Sequence, residues 1–116
     1  MLYMFLICDD PTVPREPSDP PNLQPKHAEL EQELREKGTY VSGAALYPYA
    51  GPTTVRVKNG KAIETDGPFA ETKEAIGGYY IIECEDEKDA IANAAEIPVS
   101  PNSWIQVRPI ILWHPK

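Results

Sequence analysis

The side chains of this sequence that suit chemistry are few and scattered: His27, Asp66 and Arg108, with Phe69 and Tyr79 as aromatics to line a cleft. An imidazole titrates near neutrality and needs only a carboxylate to set its tautomer, which makes His27 the candidate acid/base group. The competing reading is a histidine at the edge of the core, bonded to a backbone carbonyl. A guanidinium grips a carboxylate through two parallel N–H bonds, so Arg108 is the candidate anchor for an anionic ligand. The competing reading gives it a structural ion pair with an acid such as Glu83. Asp66 opens the densest stretch of the chain, Thr65 to Glu74: Asp66 can bond the backbone ahead, Gly67 permits a positive φ, and Pro68 fixes its own. Phe69 is the lone aromatic of this locked loop, which serves either a ligand or a structural corner. Nothing around Lys73 would make its amine reactive, and Glu71 and Glu74 read as the solvated face of a short helical turn. The sequence contains neither a Gly-rich phosphate loop nor a nucleophile elbow.

At 116 residues the chain fits a single domain, 1–116, with a core large enough to need no metal or disulfide. Eleven basic against eighteen acidic residues leave a net charge of −7, and no Lys/Arg cluster marks a footprint for phosphate backbones. Nucleic acid is excluded as a direct partner on that ground. Cys8 and Cys84 are the only cysteines, no CxxC pair occurs, and His27 and His114 stand apart, so neither a metal site nor a bound cofactor is expected. Met1 to Cys8 is apolar but lacks a basic leader and runs into Asp9-Asp10, unlike a signal peptide. No apolar run approaches the roughly 20 residues of a membrane span. A cytoplasmic protein without membrane contact is the expectation.

The elements that must position these residues follow from periodicity. Leu2 to Cys8 is apolar on both alternating faces, as a strand covered on both sides reads. Pro11, Pro14, Pro17, Pro20, Pro21 and Pro25 then prevent helix or sheet pairing, and residues 9–25 read as a loop. From Lys26 to Lys37, His27, Leu30 and Leu34 form the apolar stripe of a helix that Gly38 stops. Thr39 to Leu46 reads as a short strand leading to a turn at 47–52. Thr53 to Lys58 and Lys61 to Thr65 flank Asn59-Gly60, the signature of a type I′ hairpin. Tyr79 to Cys84 is a second strand apolar on both faces. Asp86, with Asp89 three residues on, caps a helix whose stripe is Ala90, Ile91, Ala94 and Ala95 and which ends near Pro98. Trp104 to Leu112 is the last strand, with Trp104, Gln106 and Arg108 on one face and Ile105 and Val107 on the other.

Setting the hairpin aside, the order is βαββαβ, the ferredoxin-like α+β plan with both helices on one face of an antiparallel sheet. The usual strand order puts the first and third core strands in the centre. The other face lacks a cover although those two strands are apolar on both sides, so a homodimer burying sheet against sheet is expected. The end of the first strand, the start of the first helix, the Asp66 loop and Ser100 to Ser103 all fall at one edge. Cys8 and Cys84 fall at opposite ends of neighbouring strands, beyond the roughly 6 Å Cα separation of a disulfide.

The Met1 to Ile7 strand, Thr53 to Val57, Thr65 to Glu74, Gly77-Gly78-Tyr79-Tyr80 and Val107-Arg108-Pro109-Ile110 resemble the YCII-related domain family, in particular the subgroup named for its Asp-Gly-Pro-Phe motif. The resemblance implies a dimeric α/β barrel. It also implies a proton-transfer dyad, a histidine early in the first helix with an aspartate just before a proline after the second; some relatives look like lactone dehalogenases or dehydrochlorinases. Pro25 to Leu30 matches the histidine part at His27, while Ile97 stands before Pro98 where the aspartate would be. Asp66, brought to the same edge by its loop, is the candidate to orient His27 instead. Two functions remain: a small enzyme transferring protons on an anionic or lactone-like metabolite, with His27 and Asp66 as acid/base and Arg108 as anchor, or a non-catalytic dimer binding a small molecule or a regulatory protein. For the latter, sigma factors are the partners that resemblance to the subgroup implies.

Overall fold

The computed structural model describes residues 1–10, 24–46, 53–66 and 75–114. The proline-rich loop, the turn at 47–52 and the loop beyond Asp66, with Phe69 and Lys73, lie outside the described residues. In chain order the elements are β1 (Leu2–Asp9), α1 (Gln24–Lys37), β2 (Tyr40–Ala45), β3 (Thr53–Lys58), β4 (Lys61–Asp66), β5 (Ala75–Glu83), α2 (Glu87–Glu96) and β6 (Ser103–Pro109). They form a four-stranded antiparallel sheet in the order β2-β5-β1-β6 and a separate two-stranded ribbon, β3-β4. This is the ferredoxin-like α+β plan, with β1 and β5 central.

Alternation decides what each strand buries. Tyr3 and Phe5 of β1 sit opposite Ile82 and Tyr80 of β5, and all four are buried with Leu34 of α1, Ala90 of α2 and Ile97 just beyond it. Leu30, Ala94, Ile105 and Val107 pack around that cluster, so both helices cover the same face. Trp104, Gln106 and Arg108 alternate with Ile105 and Val107, as their pattern requires, and stand on the face without helices.

Local chemistry ends each helix. After α1, Gly38 takes φ 76°, its N–H donates to Arg35 O, and the Thr39 N–H donates to Leu34 O at 3.0 Å. Those are the two bonds of a Schellman motif. Before α2, the Asp86 carboxylate accepts from the Asp89 N–H at 2.8 Å, and Asp89 accepts in return from the Glu85 N–H at 2.9 Å. In the ribbon, Asn59 at φ 53° and Gly60 at φ 76° supply the two left-handed residues of a type I′ turn.

Three expectations need correction. The buried row of α2 is Ala90 and Ala94, continued by Ile97 just past the helix end, and not the full stripe Ala90, Ile91, Ala94 and Ala95: Ile91 is 58% exposed and Ala95 is exposed too, each one residue around the wheel from that row. β5 begins at Ala75, before the glycine pair, because Gly77 is the extra residue of a bulge in β5 that lets Gly78 face Ile7 and Ile76 face Cys8. β6 runs only to Pro109: the Ile110 N–H still donates to Leu2 O at 2.9 Å, and β1, which begins at Leu2, offers no strand beyond that point. Cys8 and Cys84 are both buried, and no disulfide joins them. Burial first, then nearby acids, push the Cys84 thiol up to about 11, so it stays protonated.

Because Asp86 satisfies an otherwise orphaned donor of α2, Asp86→Ala should lower stability by about 1 kcal/mol in chemical denaturation. An unchanged midpoint would show that water caps this helix equally well.

Candidate functional site

Tyr80 enters the core because it alternates with Gly78 and Ile82 on the helix-covered side of β5, leaving its residue only 6% exposed. A phenol taken that deep has to find a partner for its hydroxyl. His27, in the first turn of α1, supplies it: Nδ1 lies 2.7 Å from the Tyr80 hydroxyl, and the rings stack with centroids 5.8 Å apart and planes inclined by 26°. Tyr40 of β2 packs edge-on against Tyr80 at 6.5 Å. Gly43 makes room for both, since a Cβ there would lie 3.0 Å from the Tyr80 ring and 3.2 Å from the Tyr40 hydroxyl. Tyr40 in turn donates to Glu31, its ring carries the Arg35 guanidinium at 4.5 Å, and Arg35 pairs with Glu31 at 3.3 Å.

Burial, reinforced by Tyr40 and Glu31, pushes the Tyr80 phenol up to about 12. Burial also lowers His27 below the usual imidazole value, with a smaller opposite pull from the Pro98 carbonyl. At neutral pH the phenol therefore keeps its proton and the imidazole is uncharged. Among the described residues the phenol has no acceptor other than Nδ1, so Tyr80 donates to Nδ1 and the ring proton sits on Nε2. With Nδ1 taken by Tyr80, the ring's hydrogen bond to the Pro98 backbone carbonyl falls to Nε2–H, which is the core-edge arrangement that the sequence offers as the competing reading of His27.

A second polar chain lies at the same end of the sheet, a few residues beyond Pro98. Ser103 Oγ donates to the Asp9 carboxylate, which leaves Ser100 Oγ, 2.7 Å away, to donate to Ser103. Gly77 passes so close that a Cβ would meet Asp9 Oδ2 at 2.8 Å. Sequence reasoning placed Ser100 to Ser103 at this edge but missed Asp9 as their acceptor. It expected Tyr79 or Tyr80 to line the cleft, with one in the core and the other at the dimer surface, but missed the Tyr80 hydroxyl as the partner of His27, although the alternation of Tyr80 with Ile82 marked the buried face that His27 shares.

The other expected residues are dispersed. Asp66, the last residue of β4, is exposed opposite Thr53 and is not among the groups acting on His27. Arg108 and Tyr79 lie on the helix-free face, so the sheet separates them from His27. Tyr79 shares a 3.2 Å hydrogen bond with Ser42. Arg108 is exposed, and Glu83 pairs with the Met1 ammonium at 2.5 Å instead of with it. Phe69 lies outside the described residues. Among the described residues no group of three or more His, Cys, Asp or Glu could hold a metal ion, and no helix is long and apolar enough to cross a membrane.

Fold and site together define a small ferredoxin-like α+β protein with a neutral, phenol-bonded imidazole at one end of its sheet. The chain belongs to the YCII-related domain family, whose profile matches residues 1–114. An uncharacterized protein of Rhizobium meliloti is 34% identical over 88 residues, a match spanning 74% of this chain and 71% of that relative.

A histidine whose folded pKa is lowered binds fewer protons folded than unfolded, so stability should fall as pH drops below about 6.5 and level off once the folded ring is charged. His27→Gln should flatten that part of the pH–stability curve, read from denaturation midpoints. An identical slope in the variant would contradict the lowered pKa.

Proposed function

We propose that this protein is a homodimeric small-molecule protein of the Asp-Gly-Pro-Phe subgroup, and that the end of the sheet around His27 takes an anionic or lactone-like metabolite. The observation that carries this reading is the 2.7 Å contact between His27 Nδ1 and the Tyr80 hydroxyl, which fixes a neutral imidazole whose Nε2–H is bonded to the Pro98 carbonyl and would exchange that bond for one to a ligand. A neutral imidazole N–H is suited to a carboxylate, a lactone carbonyl or the oxyanion that forms when a proton is removed beside such a carbonyl. His27 is then the proton-transfer and oxyanion group, and Tyr80 takes the tautomer-setting part for which Asp66 is the candidate in the sequence. Because the phenol both donates and accepts, the ring can exchange its proton between nitrogens without being expelled from its place. Arg108 and Tyr79, on the opposite face, serve the sheet-to-sheet contact or a ligand held there, with Met4, Leu6 and Ile81 only partly buried beside them.

A second reading has its own observation. Ile97, 4% exposed, fills the position before Pro98 where the family's dyad would have its carboxylate, which favours a non-catalytic module binding a small molecule or a regulatory protein such as a sigma factor.

Lactones and short halogenated carboxylates, screened by NMR against the histidine ring signals, separate the two. The first reading expects a ligand that shifts the His27 signals, and a loss of binding or turnover of about tenfold in Tyr80→Phe, the weight of one hydrogen bond at about 1.4 kcal/mol. If ligands bind without touching His27, and His27→Ala keeps full affinity, the non-catalytic module stands.

A further inference from the structure

The β3-β4 ribbon is built in a way that a lone chain does not explain. Lys58 and Lys61 are directly opposite each other beside the turn, and like charges in that register repel. Arg56 and Ile63 form the next pair on the same face, so that face is cationic around an apolar side chain that is 47% exposed. A two-stranded ribbon is at best marginally stable on its own in water.

Its chemical complement lies elsewhere on the molecule. Between α1 and α2 runs a groove of about 320 Å3 lined by the apolar Leu30, Leu34 and Ala92 together with Asn93, Lys37 and the acidic Glu33, Asp89 and Glu96. Helix residues alone line it. The lengths match: six-residue strands reach about 20 Å, and a 14-residue helix such as α1 runs about 21 Å. The charge matches too, because in a chain of net charge −7 the ribbon tip is a cationic exception.

We propose that the Arg56–Ile63–Lys58–Lys61 face of the ribbon docks into the α1–α2 groove of a second copy of this chain. Ile63 meets the half-buried Leu30 of the groove, while Lys58 and Lys61 meet Glu33 and Glu96 of the second copy. A two-fold axis makes the exchange reciprocal, so one dimer contains two such contacts. The contact is distinct from the helix-free sheet face and adds a salt-sensitive component to self-association.

Charge reversal tests it, since all four acidic and basic residues are exposed and their substitution leaves the core intact. Lys58→Glu/Lys61→Glu sets an acidic ribbon against an acidic groove; Glu33→Lys/Glu96→Lys sets a basic ribbon against a basic groove. Each variant alone should self-associate at least tenfold more weakly than wild type by sedimentation equilibrium at low salt, with an unchanged melting curve. Mixed one to one, the two variants restore both contacts and should regain wild-type association, as should a chain carrying all four changes. Wild-type association by either variant alone, or weakened association that neither the mixture nor the fourfold variant repairs, would overturn the proposal.

Discussion

The hydroxyl of Tyr80 is the constraint around which this end of the molecule is arranged. β5 must send Tyr80 inward because Ile82 and Cys84 on the same face build the core. A buried hydroxyl left without a partner would cost about 1–3 kcal/mol. His27 meets that need only if α1 begins beside the Pro98 segment, and Gly43 must lack a side chain for Tyr80 and Tyr40 to occupy their places. The same burial that demands the bond keeps the phenol protonated and the imidazole neutral, so packing and proton chemistry have one cause.

The two faces of the sheet divide the labour. The helix-covered face holds the core and, at one end, the His27–Tyr80 pair near the Asp9–Ser103–Ser100 chain. The helix-free face holds Arg108, Tyr79 and the partly buried apolar residues of β1 and β5. An anchor and an acid/base group that seem to belong to one cleft in the linear sequence are thus assigned to different surfaces by the two-residue period of strands.

Much of the fold was legible because it rests on local rules. Asn59-Gly60 can hardly be anything but a tight hairpin, Gly38 a helix stop and Asp86 a cap, and the strand order follows from the βαββαβ sequence of elements. The register of α2 was not, since Ile91 is the more apolar choice and only the packing against the sheet turns Ala90 inward. The site was half legible. His27 is visible as a lone imidazole on a helix stripe, but its partner is a tyrosine 53 residues away, and nothing in the composition of either segment distinguishes that pairing from one with Asp66. Asp9 was hidden for the same reason: its serine partner is 94 residues distant.

The central claim is that a phenol, not a carboxylate, sets the state of His27. Long-range proton–nitrogen correlation NMR on nitrogen-15 histidine at neutral pH reads that state directly, with His114 assigned by substitution. The expected result is an uncharged ring with its proton on Nε2 and an acceptor-type shift at Nδ1. A proton resting on Nδ1, or a charged ring, would contradict it and would require a carboxylate beside His27.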